Sequence, residues 1–389
     1  MSQSNNSRRN FLKAGSIAAL GAFASRGAEM TRQGNHSLNL YVGTYTSGKS
    51  EGIYIYRMNL DTGELKRLNT MKAVNPSFLA INGNKRHLYA VNEVRQFAGK
   101  SSGAVSAFSI DSTTGNLNFL NQQPSLGADP CHVIVDRTGR FVLVANYTGG
   151  NVSVFPVRRD GSLDPATDVV QHHGSSVNKE HQEGPHAHCL ILDHANCYAF
   201  AADLGLDKVL IYRFDARAGK LTPGKEPWVE LKPGAGPRHF TFHPNGRHAY
   251  VIKELDSTLT GFSYDAANGI LHSMQTVSTL PTDFSGHNDC ADLHISPSGK
   301  FLYGSNRGHN SIVVFTISAS SGELTYLEHA STQGKTPRNF AIDPTGRFLL
   351  VANQQSDTIV TLRIDSVTGR LTPTDRAADV PAPVCLKFV

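Results

Sequence analysis

The chain has 389 residues, 39% hydrophobic and 18% charged. That is enough apolar material for a large core and too little charge for a disordered chain, and it excludes collagen, coiled-coil, polytopic membrane and disulfide-dense classes. The 37 basic residues exceed the 32 acidic ones by a formal +5, a small surplus outside any single run, so no nucleic-acid partner is expected.

The N-terminus reads as a targeting segment. Ser7-Arg8-Arg9-Asn10-Phe11-Leu12-Lys13 resembles the twin-arginine export signal. The apolar stretch 14–23 that follows is too short for a permanent membrane span, and Ala22-Phe23-Ala24 offers a small-residue cleavage site. Residues 1–30 are therefore expected to be a signal peptide and short linker. The export machinery would be a partner, and the location periplasmic or secreted. Cleavage after Ala24 removes Arg8, Arg9 and Lys13, leaving 34 basic residues against 32 acidic ones.

A repeat organises the rest. Residues 139–146 read Gly-Arg-Phe-Val-Leu-Val-Ala-Asn, residues 346–353 Gly-Arg-Phe-Leu-Leu-Val-Ala-Asn, and residues 299–306 Gly-Lys-Phe-Leu-Tyr-Gly-Ser-Asn. Weaker copies lie at 246–253, 85–92 and 196–203, and a seventh at 38–44 lacks its preceding turn. These copies end at 44, 92, 146, 203, 253, 306 and 353, a spacing near fifty residues that fits a four-stranded propeller blade. Each unit predicts a short first strand, a tight turn, this apolar second strand, an alternating third strand, and an outer strand after a Gly turn. The chain starts on a second-strand copy and ends on a first-strand copy at 383–388. Pairing of those two ends closes an all-β, seven-bladed propeller over residues 38–389, of four-stranded antiparallel blades without a linker.

In each blade the start of the first strand lies beside the end of the second, because the two are antiparallel neighbours. Those places converge on one mouth of the central channel. Second-strand ends contribute Asn92, Glu93, Asn146, Tyr147, Asp203, Lys253, Glu254, Asn306, Arg307 and Asn353. First-strand starts contribute Cys131, His132, His186, His188, Arg238, His239, Asp289, Asp292, Arg338 and Asn339. Several Asn fit a purely structural rim. Clustered Arg, Lys and His instead suit a pocket for a small acid.

Gln182-Glu183-Gly184-Pro185-His186-Ala187-His188, Ala202-Asp203-Leu204-Gly205-Leu206-Asp207 and Gly236-Pro237-Arg238-His239 resemble the lactonase family of seven-bladed propellers. That family includes propeller-type 6-phosphogluconolactonases and carboxy-cis,cis-muconate cyclases. The resemblance covers the chain after the signal. It implies hydrolysis of a small acidic lactone, with no cofactor and no metal, and a catalytic set of His188 or His186, Arg238, Glu254 and Arg307. Glu93, Asn146, Asp203, His239, Asp289, Asn306, Arg338 and Asn353 are the expected substrate-binding residues. His188 and Arg238 each stand five positions before their turn residues, Asp193 and His243, which favours His188 over His186 as base. No Gly-x-Ser-x-Gly elbow is present, so an acyl-enzyme is not expected. Substitution of His188 or Arg238 by Ala should abolish turnover and leave the thermal transition nearly intact. The alternatives are a muconate-type cyclase or isomerase, and a non-catalytic propeller that binds a small acid or a protein. Export itself weighs against a phosphorylated metabolite as substrate.

The His-rich stretch His172, His173, His181, His186 and His188 lacks ordered zinc spacing, so no metal is expected there. Among five cysteines, Cys189 and Cys197 fall on neighbouring strands. Buried packing is their expected role, with a cross-strand disulfide as the alternative.

Overall fold

Side chains that stand in for missing backbone partners fix the turn between the first two strands of a unit. Asp136 Oδ1 accepts from the amides of Arg140 and Phe141 at 2.7 and 2.8 Å. Asp193 does the same for Cys197 and Tyr198, and Asp343 for Arg347 and Phe348. Such local bonding reverses the chain. The hairpins it makes carry the apolar runs as second strands. Phe141–Asn146 and Phe348–Asn353 are buried at every position, as a strand covered on both faces must be.

In the computed structural model, which describes residues 36–389, these hairpins build seven four-stranded antiparallel sheets. The export signal expected over residues 1–30 lies outside the described residues. The first blade takes its inner strand from the far end of the chain. Pro383–Phe388 pairs with Ser37–Thr44, with Val42 opposite Leu386. This is the closure expected from the split repeat. Inner strands of successive blades touch one another around the channel, and Pro383–Phe388 meets Leu79–Ile81.

The core lies between blades. Phe200 of the fourth blade packs with Phe240, Val251 and Phe262 of the fifth. Buried tyrosines lock the same joints. The hydroxyls of Tyr41, Tyr89, Tyr250 and Tyr303 donate to the carbonyls of Gly115, Gly161, Gly322 and Gly369 in the outer turn of the next blade, at 2.7, 3.0, 2.6 and 2.9 Å. Tyr250→Phe removes one such bond and strands a carbonyl at the joint. Urea denaturation should show a loss of about 1–3 kcal/mol with kcat unchanged, because the joint is on the blade's outer side.

A repeated irregularity sets the channel mouth. Register shifts mark the starts of the first strands at Cys131, His188, Arg238 and Arg338, and between Cys290 and Leu293. A bulge inserts one residue and re-aims its side chain. In five blades a left-handed residue and a proline lead into the first strand. Asn75, Asp129, Gly236, Thr336 and Ala382 have φ of 40°, 51°, 65°, 59° and 43°, and each precedes a proline. For Thr336 and Ala382 this conformation is strained, at a cost of order 1–3 kcal/mol each. Strain of this kind, repeated at one end of the channel, makes that end the candidate site.

Cys189 follows the packing expectation and Cys197 does not. All five are free, and the register pairs Cys189 with Ala202. Cys197 is exposed in the turn, not opposite Cys189, because the second strand starts only at Tyr198.

Candidate active site

The bulges deliver side chains into the channel head. A narrow cavity there is lined by Tyr45, Glu93, Cys131, His188, Arg238 and Arg338, with Ser77 and His239. A more open cavity of about 430 Å³ shares Arg338 and is lined also by Asp289, Arg307 and Lys335. Three arginines therefore converge from the fifth, sixth and seventh blades.

Glu254 is the counter-charge. Its carboxylate lies 2.7 Å from Arg238 Nε and 2.9 Å from Arg307 Nη2. Burial alone would raise its pKa, but Arg307, then Arg238 and Arg338, overcome this and hold it at about 2. Arg238 is itself pushed down to about 10 by burial, against the pull of Glu254. Both values lie far enough from neutrality to keep the pair charged. The guanidiniums are also tied to the backbone: Arg238 Nη1 donates to Ala291 O and Arg307 Nη2 to Cys290 O at 2.5 and 2.9 Å.

A second carboxyl faces them. Glu93 accepts from the Tyr45 hydroxyl at 2.9 and 3.0 Å and from Ser77 Oγ, and Tyr45 in turn accepts from Arg338 Nη2 at 3.0 Å. Burial raises the Glu93 pKa, opposed by Arg338. The two acids thus sit in opposite environments, one held ionised and one inclined to keep a proton.

His188 and His186 separate clearly. His188 is buried, and its Nδ1 has no protein partner. Burial, then Arg238 and His239, hold its imidazole well below the usual range, so it is neutral at pH 7. His186 is stacked on Tyr147 at 4.4 Å, with one ring nitrogen against Tyr147 O and the other against Glu183. Both of its nitrogens are occupied. His239 lies beside His188, its Nδ1 2.7 Å from Asp292.

Four expected binding residues do not reach the cavity. Asn146, Asn306 and Asn353 are fully buried, and their amides donate to Ser125 O, Thr279 O and Thr332 O at 3.1, 2.8 and 2.9 Å. They tie each second strand to the segment arriving from the previous blade. Asp203, also fully buried, holds His172 Nδ1 at 2.6 Å and the amides of His186 and Leu206. Each of these four side chains is committed to these partners and lines neither cavity. Asp289 lines the open cavity and pairs with His287 at 3.1 Å. Tyr45 and Ser77 were missed. Tyr45 directly follows the copy at 38–44, as Glu93 follows the copy ending at 92, and that equivalence is the signal that identifies it.

Among the described residues, eight buried side-chain polar atoms lack a protein hydrogen-bond partner. At the channel head these include His188 Nδ1 and Arg307 Nε, whereas Arg238 Nε and Glu254 Oε2 face one another at 2.7 Å in the ion pair described above. Buried polar atoms are rarely left unpaired, so His188 Nδ1 and Arg307 Nε are candidate ligand contacts.

The comparisons with known proteins agree with this architecture. The family described as "Lactonase, 7-bladed beta-propeller" matches residues 39–388. A 6-phosphogluconolactonase of Bacillus subtilis is 40% identical over 350 residues, covering 90% of this chain and 97% of that protein. The structure of a Pseudomonas aeruginosa periplasmic gluconolactonase superposes with a TM-score of 0.87 at 38% identity, over 91% of this chain and 99% of that one. A putative 6-phosphogluconolactonase from Bacteroides fragilis gives a TM-score of 0.85, also at 38% identity, over 91% and 98%. By fold, by repeat and by extent of match, the chain belongs to the lactonase family of seven-bladed β-propellers.

Proposed function

We propose that the protein hydrolyses a small acidic or sugar-acid lactone at the channel head, with His188 as base and Arg238 and Arg307 as the anion clamp. Water attacks the ring carbonyl while the neutral His188 takes its proton. Arg238 and Arg307 stabilise the charge that grows on the carbonyl oxygen. The ring C–O bond then breaks, and His188 returns the proton to the leaving alkoxide. Water and lactone become a hydroxy acid, which ionises and releases one proton to the medium. Glu254 is not the base, because its two oxygens face two guanidiniums; it keeps them parallel and charged. The rest of the lactone would occupy the open cavity beside Arg307 and Arg338.

The neutral, unpartnered Nδ1 of His188, in one cavity with Arg238 of the Arg238–Glu254–Arg307 clamp, carries this reading. The names of the relatives support the substrate class. The Arg8-Arg9 signal pattern, and the similarity to a protein described as periplasmic, support export through the twin-arginine machinery. On that reading an unphosphorylated aldonolactone competes with the phosphorylated one as substrate. A pH-stat panel of lactones with and without phosphate tests the proposal on purified protein. Proton release faster than spontaneous opening is expected for at least one aldonolactone. No acceleration with any member of the panel would refute the reading.

A further inference from the structure

Beneath the clamp lies a buried His–carboxylate pair that lactone opening, as described above, does not use. His239 Nδ1 is 2.7 Å from Asp292 Oδ1, and the imidazole's other nitrogen, Nε2, is 3.3 Å from Arg238 Nη1. Asp292 also accepts from the Leu293 amide at 2.9 Å, from His294 Nε2 at 2.9 Å and from Asn339 Nδ2 at 2.5 Å. So many donors keep Asp292 ionised, and His294, His239 and its other hydrogen-bond donors hold its pKa well below the carboxylate range against the cost of burial. An ionised carboxylate at Nδ1 fixes the proton on that nitrogen and leaves Nε2 bare. A bare Nε2 is an acceptor, and the nearest donor is the guanidinium of Arg238.

We infer that Asp292 and His239 form a positioning pair: Asp292 sets the tautomer of His239, and His239 Nε2 aligns Arg238 for the developing oxyanion. His239 is therefore a support for the clamp and not a substrate-binding residue. The inference rests on the lactone-opening reading. The competing account is that Asp292 only knots the fifth, sixth and seventh blades through His239 and Asn339. The two accounts assign importance to opposite ends of the imidazole.

Two substitutions separate the ends. An Asn side chain places an amide N–H where Nδ1–H stood, so His239→Asn keeps the contact to Asp292 and loses the acceptor for Arg238. A Gln side chain reaches the place of Nε2 with an amide oxygen, so His239→Gln keeps the acceptor and loses the contact to Asp292. Positioning predicts a crossed result. His239→Asn should hold the higher Tm of the two yet lose about 10- to 100-fold in kcat/KM, chiefly in kcat. His239→Gln should melt lower and recover about tenfold of that loss. If the Gln variant does not fold, the Asn variant decides alone: wild-type kcat/KM with a wild-type Tm overturns the inference. The wild-type protein gives an independent reading through the imidazole ¹⁵N shifts of His239. A proton on Nδ1 is expected, and a proton on Nε2 overturns the inference. Wild-type protein that opens no lactone would sink the function itself, whereas an active wild type with Asn at least as active as Gln sinks only the positioning pair.

Discussion

His188→Ala is expected to lower kcat for lactone opening by about 10²- to 10⁴-fold, the usual worth of a positioned base. Its melting temperature should stay within about 3 °C of wild type. The ring it removes is buried but carries an unpartnered Nδ1, so lost packing is offset by the loss of an uncompensated polar atom. Arg238→Ala should behave differently. It removes half of the clamp, leaves Ala291 O without its donor, and leaves Glu254 with Arg307 as its remaining contact. Turnover should fall by about 10³-fold or more, and stability by about 3–5 kcal/mol, the cost of breaking a buried ion pair. Sparing of the fold, expected from sequence for both substitutions, is therefore predicted from the structure for His188 alone. Steady-state kinetics and thermal melts on both variants check this. Near-wild-type kcat in His188→Ala would remove it as base, and an undiminished melt in Arg238→Ala would remove the buried pair as a structural element.

The second large effect is on acid stability. His132, His188 and His239 are all buried and held neutral below the ordinary imidazole range. Burial is the main cause in each. His239 then adds to the shift of His132, and Arg238 to those of His188 and His239. His239 is pushed down to about 4. In the unfolded chain all three take up protons near pH 6.5. Below that pH the unfolded state binds more protons than the folded one, so stability must fall as pH falls. Three such sites give a slope of about 4 kcal/mol per pH unit near pH 5.5. Glu93 works the other way, because its raised pKa lets the folded state hold a proton that the unfolded chain has released. That opposes the slope by one site at most, and the smaller downward shifts of His87, His248 and His309, also from burial, add to it, so about 2.7 kcal/mol per unit or more remains. Glu254, held at about 2 against an ordinary 4.5, adds a further loss only as pH drops below 4.5. Urea midpoints measured at half-unit steps between about pH 7 and pH 5 read this slope. His132→Phe should lower it by about 1.4 kcal/mol per unit. A stability that is flat across the range would contradict the account of a buried neutral imidazole cluster.

Much of this was legible in the residues. The apolar runs at 139–146, 299–306 and 346–353 forced second strands covered on both faces, and their spacing forced blades. The five-residue offset from Asp193 to His188 and from His243 to Arg238 located the bulge positions without showing that they were bulges. Both residues at several second-strand ends were assigned to the mouth, and only the second of the two, as at Glu93 and Arg307, lines a cavity there. The Asn before it turns to the backbone of the segment arriving from the previous blade, a contact that residue type alone does not report. Tyr45 escaped notice because its copy lacks the preceding turn by which the others were aligned. The Glu254 clamp was legible only as a set of residue types. Its doubly bridged geometry depends on Arg238 and Arg307 arriving from adjacent blades, a contact between sequence positions too far apart for periodicity to report.

A crystal structure of the protein with a sugar lactam, the ring analogue that water does not open, tests the central claim most directly. The account predicts the lactam carbonyl oxygen within hydrogen-bonding distance of Arg238 or Arg307, and its carbonyl carbon facing His188 across room for one water. A lactam seated away from the channel head, on an outer strand or in a groove between blades, would contradict it.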